Sequence, residues 1–203
     1  MGELTSRGVP AIGIDKSPSM INIARINYPN SQFKVGDALV SMTFSQNSFT
    51  HITCLFFTIY YIKDKLAFLQ NCYQWLVPGG YLILHLVNRD LFDPIVPAAD
   101  PLYAVSPQKY AKKRITNSTV KFSDLEYKAN FEINKDKDLA YFIETLKSDD
   151  TGNVRQNRHK LHMDTQKHIL GLAKDVGFIL HGKADLVHCQ YEYQYLYILS
   201  KPS

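Results

Sequence analysis

Asp15 and Asp37 each follow a short run with strand character, Ala11-Ile12-Gly13-Ile14 and Phe33-Lys34-Val35-Gly36. A carboxylate only accepts hydrogen bonds, so two of them at neighbouring strand ends suit a donor-rich ligand such as a vicinal diol. Asp15 could instead cap the following helix together with Ser17, a common role for acidic residues there. Tyr60 and Tyr61 follow a long apolar run and offer hydroxyls on the substrate side, or simply packing. His159 and His162 flank Leu161, and one of them could face a substrate as a general base. His85 lies in an apolar strand and reads as a satisfied core histidine. Cys54 reads as a small buried hydrophobe, and no Cys-His pair is identifiable for nucleophilic catalysis.

The elements that must position these groups follow from periodicity. Val9 to Asp15 predicts a strand, and Ser17-Pro18 supplies an N-cap and a proline at a first helical position. Met20, Ile21, Ile23, Ala24 and Ile26 lie on that helix before Tyr28-Pro29-Asn30 stops it, and Phe33 to Asp37 predicts the next strand. Phe49 to Thr58 is a β-branched and aromatic run, which predicts a strand buried on both faces. A helix is expected from about Lys63 to Trp75 with Leu66, Leu69, Cys72, Tyr73 and Leu76 inward; Pro78-Gly79-Gly80 then turns the chain into a strand from Tyr81 to Val87. Such alternation implies right-handed crossovers and a parallel sheet whose ligands bind beyond the carboxyl ends of its strands.

Beyond Val87 the pattern changes. Pro94, Pro97, Pro101 and Pro107 mark an irregular stretch, and Thr119 to Met163 alternates in period two with turns near Asn134-Lys135-Asp136 and Asp150-Thr151-Gly152-Asn153. Antiparallel strands inserted as a lid over residues 88–163 are expected. A helix from Asp164, ending at Gly177-Phe178, then leads to two strands, about Ile179 to Leu186 and Tyr191 to Leu199, which would form a hairpin at the sheet edge.

The 203 residues, 45% hydrophobic, suffice for one compact domain spanning 1–203 with that insert embedded. The net charge of +4 is scattered, and the short run Lys109 to Arg114 reads as a solvated surface, so no nucleic-acid partner is expected. Three widely spaced cysteines fit neither a disulfide framework nor a zinc site and point to a reducing compartment. No apolar run is long enough to span a membrane, and no signal-peptide pattern opens the chain, so a cytoplasmic location is expected.

Ala11-Ile12-Gly13-Ile14-Asp15 with Ser17-Pro18-Ser19-Met20, Gly36-Asp37-Ala38, Leu76-Val77-Pro78-Gly79-Gly80 and Val176-Gly177-Phe178 together resemble class I S-adenosylmethionine-dependent methyltransferases. The likeness covers about Val9 to Val87 and Asp164 to Pro202. It implies an α/β fold, a Rossmann-like mostly parallel sheet flanked by helices with an antiparallel C-terminal hairpin. It also implies a cofactor site at Asp15, Lys16, Met20, Asp37, Ala38, Leu55 and Phe56, with S-adenosyl-L-methionine as cofactor, no metal and a small-molecule methyl acceptor. Asp15 would take the ribose hydroxyls, Met20 would pack on adenine, Asp37 and the Ala38 N–H would read its edge, and the Leu55 and Phe56 carbonyls would meet the methionine ammonium. The catalytic residue stays unassigned.

One departure stands out. The family's first strand and glycine-rich turn have no counterpart here, since Met1 to Gly8 looks like a helix end stopped by Gly8. An N-terminally truncated methyltransferase is therefore expected, with either a gap or a repaired pairing between the strands at Ala11 and Phe49. Two other readings remain: a non-catalytic interaction module that retains the sheet, and a nicotinamide-dependent oxidoreductase, which the C-terminal hairpin and Gly36-Asp37-Ala38 disfavour.

Overall fold

Local signals start and stop the helices where the sequence places them. The computed structural model describes residues 1–94, 112–189 and 191–203. Helix α1 (Gly2–Ser6) is closed by Gly8 at φ +71, with Val9 N donating to Leu4 O at 2.9 Å. Strand β1 (Ile12–Asp15) leads into α2 (Pro18–Asn27), whose cap is Ser17: its Oγ accepts from Met20 N at 3.3 Å. Next come β2 (Gln32–Val35), β3 (Phe49–Cys54), a single turn α3 (Thr58–Tyr61) and α4 (Lys65–Trp75), begun by Asp64, which accepts from Ala67 N at 3.0 Å. Strand β4 (Leu76–Val87) follows directly. The Pro97, Pro101 and Pro107 stretch and the first half of the basic run, residues 109–111, lie outside the described residues.

Four antiparallel strands come next, β5 (Asn117–Lys121), β6 (Leu125–Asn134), β7 (Leu139–Ser148) and β8 (Val154–His162), paired in that order. Helix α5 (Gln166–Val176) ends at Gly177, φ +113, before β9 (Ile179–Asp185) and β10 (Gln194–Ser200). These two pair as an antiparallel hairpin, and β10 docks antiparallel on β4.

The remaining strands fall into two pieces. β1 and β2 pair in parallel with each other, while β3 and β4 pair in parallel within the sheet β3-β4-β10-β9. No ladder joins β1 to β3, so of the two expected outcomes the structure adopts the gap. This corrects one expectation. β3 is not buried on both faces: Thr50, His51 and Thr53 are exposed, because an edge strand with no neighbour on one side leaves its polar positions in water.

The Pro-Gly-Gly segment is also more than a turn. It lies inside β4 as a bulge, and the β3 register jumps from Phe49 opposite Leu76 to His51 opposite Tyr81. Gly79 takes φ +75, and a Cβ on Gly80 would stand 2.8 Å from Val77 O and 3.1 Å from Thr50 O, so only glycine fits there.

The core lies between α4, α5, the four-stranded mixed sheet and the inner face of β6 to β8, with Leu69, Leu82, Leu84, Phe92, Phe131, Leu161 and Ile169 fully or almost fully buried. Helix α4 buries Leu69, Cys72 and Leu76 as expected, but its inner face is wider and shifted at the start. Leu66 is exposed, whereas Lys65, Phe68, Asn71 and Trp75 point inward, because the polar pair meets carbonyl groups there. Among the described residues no helix is long and apolar enough to cross a membrane.

Three buried groups make the fold sensitive to base. Burial pushes the Cys54 thiol up from 9.0 to about 12 and raises Cys72 and the Tyr60 phenol as well. An unfolded chain releases these protons near their ordinary values while the folded chain keeps them, so stability falls as pH rises above about 9. Cys54 alone contributes about 1.4 kcal/mol per pH unit in that window. Lys65 has the opposite sign, since burial lowers its ammonium and the cost of its charge fades as pH climbs; one group against three does not reverse the trend. Urea midpoints measured at about pH 8 and about pH 10.5 are expected to drop at the higher value, and the drop should be smaller in Cys54→Ala. Equal drops in the two proteins would show that Cys54 does not contribute.

Candidate active site

Parallel pairing sets the first half of the site. With Asp15 opposite Val35, the ends of β1 and β2 lie side by side, and Gly36 N donates to Asp15 O at 2.9 Å. Asp37 is thereby brought next to the Asp15 segment, and Lys16 Nζ stands 3.6 Å from Asp37 Oδ2. The exposed Asp15 uses Oδ1 to accept from Ser17 N at 2.7 Å, so it does cap the turn; among the described residues its Oδ2 has no partner. Asp37 Oδ1 accepts from Leu39 N at 2.9 Å. The capping and ligand readings of Asp15 are thus compatible, because the carboxylate has two oxygens.

Met20 is 56% exposed on the first turn of α2, so it is not a core residue. Ala38 packs against the core, and its carbonyl accepts from Asn71 Nδ2 at 2.9 Å. Trp75 Nε1 donates to Ser41 O at 2.9 Å, a second bond from α4 to the same loop. The Asp15–Asp37 corner is therefore held to the main sheet by side chains of α4.

Leu55 and Phe56 leave the end of β3 on a strained turn. Phe56 has φ +52, a left-handed conformation that costs a bulky residue about 1 kcal/mol or more. Its ring is 61% exposed and lies edge-on to His85 and Tyr191, with centroids 6.0 and 6.5 Å away. Burial holds the His85 imidazole below its usual range despite a hydrogen bond to Gln194, and its Nε2 is buried without a partner. The expectation of a fully satisfied histidine is met on one ring nitrogen only. Among the described residues no hydrogen bond or ring contact joins Leu55 and Phe56 to the aspartate corner.

Beyond Phe56 lies a cavity of about 140 Å³ lined by Phe57, Tyr61, Pro94, Phe131, Phe142 and Leu161, with Glu144 and His159 as its polar groups. Tyr60 and Tyr61 divide the two roles considered for them. Tyr60 is fully buried, its hydroxyl accepting from Val87 N at 2.9 Å, while Tyr61 faces the cavity and His159. His162 instead gives its carbonyl to Lys65. Glu144 was not anticipated, although the sequence carried a signal: it shares the inner face of β7 with Phe142, a charge on an otherwise apolar period-two stripe. A larger open depression of about 430 Å³ lies at the amino end of β3, but the Lys201 ammonium there is taken up by Asn47 Oδ1 and the carbonyls of Tyr73 and Leu76. It contains none of the groups discussed above.

Known proteins resemble this chain in sequence and in fold. Residues 1–84 match the methyltransferase domain family. A demethylmenaquinone methyltransferase of Chlorobaculum parvum is 34% identical over 85 residues, 41% of this chain and 34% of that protein. A ubiquinone biosynthesis O-methyltransferase of Xanthomonas campestris is 28% identical over 121 residues, 58% of this chain and 47% of that protein. The chain thus spans between a third and a half of the curated relatives it matches. Among solved structures, the CcbJ methyltransferase from Streptomyces caelestis superposes with a TM-score of 0.74 at 12% identity, covering 98% of this chain and 78% of that one. The amino pentose methyltransferase CalS10 from Micromonospora echinaspora, solved with S-adenosylmethionine bound, gives 0.66 at 16% identity, covering 98% and 77%. The fold is that of the class I S-adenosylmethionine-dependent methyltransferases, and residues 1–84 are similar in sequence to their methyltransferase domain.

The bonds from α4 to the aspartate corner can be tested alone. Asn71→Leu leaves the Ala38 carbonyl without its donor and is expected to cost about 1–3 kcal/mol. Amide exchange should speed up at Leu39 and Val40 while the β6–β7 ladder stays protected. Unchanged exchange at Leu39 and Val40 would show that Asn71 does not hold this loop.

Proposed function

We propose that the chain transfers a methyl group from S-adenosylmethionine to a small molecule. The observation that carries this reading is the pairing of β1 with β2, which sets Asp15 and Asp37 side by side at parallel strand ends within a stretch matching the methyltransferase domain family. The residues present fit the nucleoside half of the cofactor. Asp15 offers an unpartnered carboxylate oxygen and Met20 an exposed apolar face. Asp15 would accept from the ribose hydroxyls, Asp37 from the adenine amino group, and the Ala38 N–H would meet a ring nitrogen, with Lys16 beside Asp37. The carbonyls of Leu55 and Phe56 would face the methionine ammonium.

When bound, this cofactor supplies an electrophilic sulfonium methyl. What the chain adds is mainly alignment of the acceptor with that methyl and exclusion of water. The β5–β8 sheet, the inserted part of the domain, would serve as the cover over the acceptor. The apolar walls favour a small ring over a polyol, which agrees with the quinone-type substrates in the names of the relatives from Chlorobaculum and Xanthomonas.

A second reading is a non-catalytic module that keeps the sheet, and the gap between β1 and β3 favours it. Calorimetric titration with S-adenosylmethionine separates the two. The enzyme reading expects saturable heat that Asp15→Ala abolishes; absence of heat in the unaltered protein would leave the module.

A further inference from the structure

The polar wall of the cavity is an ordered chain of hydrogen bonds drawn from both sides of the molecule. Tyr61 Oη, at the end of α3, is 2.9 Å from His159 Nδ1 on β8. His159 Nε2 is 3.1 Å from Glu144 Oε2 on β7, and Tyr127 Oη on β6 donates to Glu144 Oε1 at 2.7 Å. Only one tautomer satisfies all of these bonds. Glu144 as a carboxylate accepts from His159 Nε2–H, which leaves Nδ1 as the acceptor for the Tyr61 hydroxyl.

The strand register makes this arrangement specific. His159 lies opposite Phe142, and Glu144 is the next inward residue on β7, diagonal to His159. Tyr127 stands in the same relation to Glu144 across the β6–β7 ladder, through the pairs Tyr127 with Leu146 and Ala129 with Glu144. The neighbouring inward positions are Phe131, Phe142 and Leu161, so the polar chain crosses an otherwise apolar face.

We propose that Tyr61, His159 and Glu144 form a proton relay that takes the proton of the acceptor hydroxyl, an assignment that rests on the methyl-transfer reading above. The acceptor O–H breaks as its proton passes to Tyr61 Oη, and the Tyr61 proton passes in turn to His159 Nδ1. The acceptor oxygen keeps the electron pair and becomes the nucleophile, and the resulting imidazolium is held against the Glu144 carboxylate. Burial and the neighbouring Glu144 raise the Tyr61 phenol, so Tyr61 rests protonated and hands its proton on instead of holding a charge. Tyr127 keeps the second Glu144 oxygen occupied and fixes the carboxylate, which makes it a positioning residue.

The cavity limits what the relay serves. About 140 Å³ is close to the ~150 Å³ apolar cavity that admits benzene, so one aromatic ring fills it. A phenolic hydroxyl is thus the acceptor class, with any larger part of the molecule leaving past the half-exposed Tyr61.

4-Nitrophenol tests this without the cofactor, because its ionised form absorbs visible light. With no S-adenosylmethionine present, the full chain should bind the probe and ionise it about one pH unit lower than in free solution, a tenfold rise in the phenolate-to-phenol ratio. His159→Gln and Tyr61→Phe, each checked for folding by circular dichroism, should bind the probe yet leave its ionisation as in solution. Failure to bind, an unshifted ionisation in the unaltered protein, or an equal shift in both variants would overturn the relay. None of these outcomes depends on cofactor binding, so the calorimetric titration can fail or succeed independently.

Discussion

The Lys65 ammonium is the contact on which the two halves of the molecule depend. It is 2% exposed, donates at 2.9 Å to both Ile62 O and His162 O, and lies 2.7 Å from Asp164 Oδ2. Ile62 follows Tyr61 directly, and His162 lies three residues after His159, so one cation fixes the spacing of the two strands of chain that meet across the cavity. Taking a charge out of water costs several kcal/mol, which is why its ammonium is pushed below its ordinary value. The cost is offset because every donor direction meets an oxygen. A buried charge of this kind adds little net stability, and what it does here is set geometry.

Helix α4 extends the same logic to the other end of the site. The two sheet pieces share no ladder, and the loop after Asp37 would be free to swing if only apolar packing held it. Asn71 and Trp75 each donate to a carbonyl of that loop, bonds with a direction as well as a strength. Helix α4 therefore carries three hydrogen-bonding side chains on its inner face, Asn71 and Trp75 tied to the loop after Asp37 and Lys65 to the chain beside the cavity. This explains why its buried face is less apolar than its sequence suggested, with Leu66 left in solvent.

The elements were legible because local physics dictates them: Ser17, Asp64 and Thr165 cap helices, Gly177 ends one, and the period-two stretch after Thr119 is four antiparallel strands. The aspartate corner was legible too, since strand ends and parallel pairing follow from alternation. What the sequence hid lay in tertiary pairing. β3 has the composition of a buried strand, yet composition does not record whether a neighbour is present. His159 drew attention as a histidine near a strand end, but its partners Tyr61 and Glu144 are 98 and 15 residues away, and only the β7–β8 register and the docking of α3 bring them together. The Lys65 pairing was invisible for the same reason, as a lysine in a helix ordinarily reads as surface.

Charge distribution in the cavity bears on the acceptor proposed above. An amine acceptor binds best where a carboxylate has free lone pairs facing it. In Glu144 each oxygen already accepts one hydrogen bond, Oε1 from Tyr127 and Oε2 from His159, so less of its charge is left for a cation. What faces the cavity is a hydroxyl backed by an imidazole, within walls of Phe57, Phe131, Phe142 and Leu161. Such a surface solvates an ammonium poorly and removes a proton from a neutral hydroxyl well. The partly buried bonds of Glu144 to His159 and Tyr127 are the ones this enclosure strengthens, because fewer waters compete for them. Selection and activation of the acceptor would then be properties of one set of contacts.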